Sequence, residues 1–140
     1  MFRKIVFLQN KSSELSRLHK IVEKLGQREE ISFKTLHAID LSLDEIFTNI
    51  VSYGFREQGG YNIAFDFSVY QDCVIIIIED NGRAFNPLNV PDPDITKPLE
   101  ERPIGGLGLF LVRKMMDKVE YCRKENKNIL ILTKNRNSIN

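Results

Sequence analysis

Two strand patterns stand back to back in the middle of this chain, and together they oblige it to build a sheet with a face to hide. Tyr61, Ile63, Phe65, Phe67 and Val69 alternate with Asn62, Asp66 and Ser68, the period of two that sets one side of a strand against a core and the other towards water. After the polar turn Tyr70-Gln71-Asp72, residues Val74 to Glu79 form a nearly continuous isoleucine run. A central strand covered on both faces explains such a run, and so does a sheet whose outer face meets a second subunit. Upstream lie two segments able to supply the cover. Ser13 to Leu25 sets Leu15, Leu18, Val22 and Leu25 on one side of a helix, with Gly26 near its end. From about Ser32 to Tyr53, Leu36, Ile39, Leu43, Ile46 and Ile50 recur at spacings of three and four, the stripe of a second helix, which Gly54 and then Gly59-Gly60 close.

The remaining elements follow the same reading. Arg3 to Leu8 is a short strand, Gly108 to Asp117 a helix, and Val119 to Arg123 and Asn128 to Thr133 a hairpin turning through Glu125-Asn126-Lys127. Strand, helix, helix, hairpin, helix, hairpin predicts an α/β fold: a two-layer sandwich with a mixed, mostly antiparallel sheet and its helices on one face. The 140 residues fit one domain, 1–140, long enough to bury roughly 70% of the unfolded surface without staples. With 20 basic and 19 acidic side chains, charge makes no case for nucleic acid or for an anionic membrane as partner. The apolar runs Val74 to Ile78 and Ile5 to Leu8 are too short for a bilayer span or a signal-peptide core. Cys73 and Cys122 form no C-x-x-C pattern, so the expectation is two reduced, buried thiols in a cytoplasmic protein.

Three polar places carry the chemistry. All five prolines lie between Pro87 and Pro103, in a segment of about 86–104 that reads as a lid. It leads into Ile104-Gly105-Gly106-Leu107-Gly108-Leu109 at the start of a helix. Exposed N–H groups and the positive end of the dipole make such a start an anion site, although a tight turn or a cap explains glycines there equally well. Glu45 and Asn49, four residues apart, share a helical face displaced from the apolar stripe. A carboxylate can take a proton from a hydroxyl, and an amide oxygen suits a magnesium ion that keeps its waters; a solvated helix face is the plainer alternative. Asp80 in Glu79-Asp80-Asn81-Gly82 is either a turn residue or a strand-end acceptor for an exocyclic amine, with Gly82 letting a flat ring lie on the backbone.

In order, these places resemble the N, G1 and G2 boxes of the Bergerat-type ATPases shared by gyrase, histidine kinases and anti-sigma-factor kinases. The matching stretches are Leu43-Asp44-Glu45-Ile46-Phe47-Thr48-Asn49 running on to Gly54, Glu79-Asp80-Asn81-Gly82-Arg83-Ala84-Phe85, and Gly105-Gly106-Leu107-Gly108-Leu109 running on to Val119. The strand Ile131-Leu132-Thr133-Lys134 fits too, so the resemblance covers about residues 10 to 135. Within the superfamily the chain looks most like the anti-sigma regulatory serine/threonine kinases. Tyr53-Gly54 departs from the pattern, standing where many relatives have His-Gly or His-Ala.

The resemblance implies the Bergerat ATP-binding fold and a site for ATP and Mg²⁺. Asp80 would read adenine with Gly82, Phe85 and Thr133 nearby, Asn49 would hold the metal, and the backbone of Gly105, Gly106, Leu107, Gly108 and Leu109 would cradle the phosphates. Glu45 would be the general base, and Lys97 and Arg102 in the lid could reach the γ-phosphate. It further implies a kinase acting on an anti-anti-sigma partner of the STAS class, with a sigma factor or a serine phosphatase regulator as a further partner. A non-catalytic nucleotide switch that sequesters its partner is the alternative, and homodimerisation is left open. His19 and His37 lack the neighbours of a phosphoacceptor box and read as ordinary structural or surface histidines.

Overall fold

The computed structural model describes residues 1–89, 96, 98 and 107–136. The chain opens with β1 (Phe2–Gln9), passes a 3₁₀ turn at Ser12–Glu14, and enters α1 (Leu15–Arg28) and α2 (Phe33–Asn49). A π-helical turn, Ile50–Gly54, extends α2. Then come β2 (Asn62–Val69) and β3 (Cys73–Asp80), a 3₁₀ turn at Pro87–Asn89, α3 (Leu107–Met115), and the hairpin β4 (Lys118–Lys124) and β5 (Lys127–Asn135). All strand pairs are antiparallel in the order β1-β2-β3-β5-β4. Among the described residues the sheet has no parallel pair, a simpler arrangement than the mixed sheet expected.

Local chemistry explains the boundaries. The Ser32 side chain accepts from the Thr35 N–H and so satisfies one of the free donors at the start of α2. Glu125 and Asn126 sit at positive φ, which turns the β4–β5 hairpin in two residues with the twist the strands require. α1 starts two residues later than the apolar spacing predicts because Ser12–Glu14 form the 3₁₀ turn instead. Lys134 closes the other end of α3, its ammonium donating to the Met115 carbonyl at 2.7 Å.

The core lies between the helices and one face of the sheet. Leu18, Val22 and Leu25 of α1 and Ile39, Leu43, Ile46 and Phe47 of α2 are buried with Ile63, Phe65 and Phe67 of β2, Val74, Ile76 and Ile78 of β3, and Leu130 and Leu132 of β5. Burying a side chain of that size contributes about 1.5–3 kcal/mol. Among the described residues no helix covers the outer face. Ile75 and Ile77 of β3 are half-buried, as are Ile129 and Ile131 of β5, while Ile5 and Phe7 of β1 are exposed. Among the described residues, the isoleucine run belongs to a central strand with helices on one face only. The thiols also differ from expectation: both are free, but Cys73 is half-buried and Cys122 is exposed on β4.

Candidate functional site

Where α2 runs out over the end of β3, a cleft opens between helix and sheet. Its walls are mostly apolar, with Ile46 and Ile50 from the helix side, Ile78 and Leu130 from the sheet, and Leu109 from α3. The wider π-helical turn carries Ile50, Tyr53 and Gly54 to one wall. The Gly54 carbonyl accepts the Arg83 N–H at 2.8 Å. A Cβ on Gly82 would stand 2.7 Å from that same carbonyl oxygen. A side chain at 82 would thus press on the Gly54 carbonyl at the end of the π-helical turn and on Asp80 Oδ1.

Asp80 ends β3 at the floor of this cleft, buried. Its Oδ1 accepts from the Gly82 N–H at 2.9 Å and from Asn128 Nδ2 at 3.0 Å. Oδ2 has no hydrogen-bond partner among the described residues. Burial pushes the carboxyl above its ordinary range, and the hydrogen bonds from Asn128 and Gly82 and the charge of Arg123 draw it part of the way back. The floor is therefore an apolar slot with one acceptor oxygen on offer.

Asn49 lines the cleft one helical turn beyond Glu45. The Glu45 carboxylate lies against the first turn of α3, where a Cβ on Gly108 would collide with Oε2. Asn49, Asp80, Phe85 and Leu109 thus surround one space, and Glu45 and Gly108 meet beside it. Gly82 lies beneath, lining a separate hollow with Arg56 and Tyr61.

Thr133 is placed elsewhere. It pairs with Ile75, five residues back along β3 from Asp80, and alternates onto the outer face with Ile129 and Ile131. Asn128 pairs with Asp80 and holds the position by the acid that Thr133 was expected to hold. A signal for it existed in the sequence: Asn128 is a polar residue in phase with Leu130 and Leu132, and like them it is buried. Lys97, Arg102, Gly105 and Gly106, with most of the lid segment, lie outside the described residues. Leu107 is described only as the first residue of α3. The histidines keep away from the cleft. His19 on α1 bridges Asp40 and Asp44 of α2 at 2.7 and 3.3 Å, and His37 stacks on Phe33.

Helices over one face of an antiparallel sheet, with an acid at the base of the cleft between the layers, place the molecule among the ATPase domains of the histidine kinase type. Residues 8–134 match the histidine kinase-like ATPase domain, and the chain belongs to that family. It is 31% identical over 111 residues to the serine-protein kinase RsbW of Bacillus cereus strain AH187, covering 76% of this chain and 69% of that one. The RsbW of Bacillus thuringiensis subsp. konkukian is 32% identical over the same shares. Among solved structures, the RsbU and RsbW domains of a Mycobacterium tuberculosis protein superpose with a TM-score of 0.68 at 10% identity, over 96% of this chain and 32% of that chain. The histidine kinase domain of the Erythrobacter litoralis blue-light activated kinase gives 0.57 at 17% identity, over 89% and 60%. At those identities the likeness is one of fold.

Proposed function

We propose that this chain is a cytoplasmic ATP-dependent protein kinase that phosphorylates a serine or threonine of an anti-anti-sigma partner of the STAS class. In the alternative state it holds a sigma factor or a serine phosphatase regulator. The observation that carries the reading is the cleft itself, in which Asp80 offers an acceptor between apolar walls while Asn49 and Glu45 stand one turn apart along the same helix. Its kinship with the RsbW serine-protein kinases supports the choice of phosphoacceptor. Among the described residues no helix is long and apolar enough to cross a membrane.

Adenine suits the slot chemically, being a flat apolar ring with one amine to donate. Ile46, Ile50, Ile78 and Leu130 would cover its faces, and Asp80 Oδ2 would accept from the amine. The start of α3 directs free N–H groups and its dipole at the phosphates, a role extended to the backbone of Gly105 and Gly106 and to Lys97 and Arg102. Asn49, which lines the cleft, is the protein ligand we assign to Mg²⁺, which would neutralise charge across the phosphates. Glu45 accepts the proton of the incoming hydroxyl as its oxygen bonds to the γ-phosphorus. The bond to the β–γ bridging oxygen breaks, and ADP leaves.

The test is incubation with labelled ATP and a STAS-domain partner from the same genome. Phosphate should appear on one serine or threonine of the partner, and Glu45→Ala should slow transfer about 10²-fold or more. Retained ATP binding with no transfer by the native chain would refute kinase activity and leave a nucleotide-dependent switch that sequesters its partner.

A further inference from the structure

Asn128 satisfies its whole side chain within a few ångströms of Asp80. Its Nδ2 donates to Asp80 Oδ1 at 3.0 Å and to the Arg83 carbonyl at 2.8 Å. Its Oδ1 accepts from the Phe85 N–H at 3.3 Å and from the Tyr121 hydroxyl. Two donors and two lone pairs are all an amide has, so every site on the group is used. The orientation is fixed as well, because a flipped amide would set its oxygen against the Asp80 carboxylate and the Arg83 carbonyl.

This clamp decides which oxygen of Asp80 is left for a ligand. Oδ1 is held by Asn128 and by the Gly82 N–H, and both bonds lie on one side of the carboxylate. Oδ2 is what remains. Arg123 of β4 secures the same loop from outside by donating to the Gly82 carbonyl at 2.9 Å. The β4–β5 hairpin therefore reaches across and sets the geometry of a residue on β3.

We propose that Asn128, locked by Tyr121, is the positioning residue that presents Asp80 Oδ2 to the exocyclic amine of the bound purine and so sets the preference for adenine nucleotides. The inference rests on the nucleotide-binding reading of the cleft and adds to it the residue that makes the acid selective. Asn128 and Tyr121 line the cleft beside Asp80, but every hydrogen-bonding site of the Asn128 amide is taken within the protein. Its effect on the amine therefore passes through Asp80, which separates it from a residue that merely stabilises the fold.

The experiment is titration calorimetry of the full chain with ATP and with purine riboside triphosphate, which carries hydrogen in place of the amine. The native chain should prefer ATP about tenfold or more, the worth of one hydrogen bond to a charged group. Asn128→Ala should lose most of that preference while its affinity for purine riboside triphosphate stays within about twofold. Tyr121→Phe, which removes only the lock, should lower the preference at least about twofold and serves if Asn128→Ala does not fold. ATP affinity should fall on acidification as Asp80 protonates, and in Asn128→Ala that fall should move to higher pH because a hydrogen bond favouring the charged form is gone. The charged and titratable groups around Asp80 are Arg123 and Tyr121 on β4 and Arg83 in the loop, and from α2 it is faced by the neutral amide of Asn49. Unchanged preference in both variants, or equal loss of both nucleotides, overturns the proposal. Failure of the native chain to bind either nucleotide overturns the reading beneath it.

Discussion

At the scale of single residues, Asp80 is a carboxyl group set in a place that resists charge. Burial raises the Asp80 pKa, so its ionisation works against folding at neutral pH and the penalty is relieved as pH falls through the folded value towards the unfolded one. Asp80→Asn should therefore melt higher than the native chain at pH 7, and the gap should narrow towards pH 4 in parallel thermal melts. The same variant should bind ATP about ten- to a hundredfold more weakly, since it replaces an acceptor with a donor facing the amine. His19 carries the opposite sign. Partial burial opposes its charge, but Asp40 and Asp44 outweigh that and hold the imidazolium above its ordinary pKa. The stability it contributes is complete below the unfolded pKa of about 6.5 and is lost as pH rises through the folded value. His19→Gln should remove that component from the pH dependence of Tm between pH 6 and 8 without changing nucleotide affinity.

Among the elements, the junction of α2 with α3 is the most sensitive. Gly108 is tolerable as the second residue of a helix, where alanine would ordinarily be better. The Glu45 carboxylate fills the space that a Cβ would take. Gly108→Ala should then keep its Tm within a few degrees while transferring phosphate at least about tenfold more slowly, because Glu45 must turn aside. Equal kcat in native and Gly108→Ala chains would remove Glu45 from the role of base. Much of this scale was legible in the sequence. Stripes of three and four placed α1 and α2, and the alternation from Tyr61 placed β2, because burial on one side imposes those periods. The π-helical turn left no trace, since Ile46 and Ile50 keep a spacing that suits an ordinary helix as well. The resemblance of the last strand sets Thr133 near the acid, although its phase with Ile129 and Ile131 puts it on the opposite face of β5 from Asn128, which pairs with Asp80. The glycines at 105 and 106 and the lid cations lie outside the described residues, so only the sequence speaks for them.

For the molecule as a whole, the uncovered side of the sheet is the outstanding feature. Ile77 lies between Asp66 and Ile131 in register, with Ile5 and Glu120 at the two edges, and Ile75 and Ile129 flank it above and below. Around these apolar residues stand Arg3, Lys118 and Lys127 on the one hand and Asp66, Glu79 and Glu120 on the other. A largely apolar face crossed by the Arg3–Asp66 ion pair at 2.7 Å suits a second copy of itself across a two-fold axis, and we propose a homodimer through this face. Ile77→Lys should leave the fold intact and shift the sedimentation coefficient from dimer to monomer. A native chain that sediments as a monomer at high micromolar concentration would refute the dimer. The central claim is that three stretches distant in sequence close on one nucleotide. It is tested most directly by a crystal structure with Mg²⁺ and a non-hydrolysable ATP analogue. The account predicts the adenine amine within hydrogen-bond distance of Asp80 Oδ2, the metal on Asn49, and the phosphates at the start of α3. A nucleotide bound anywhere else, or with its base away from Asp80, would contradict it.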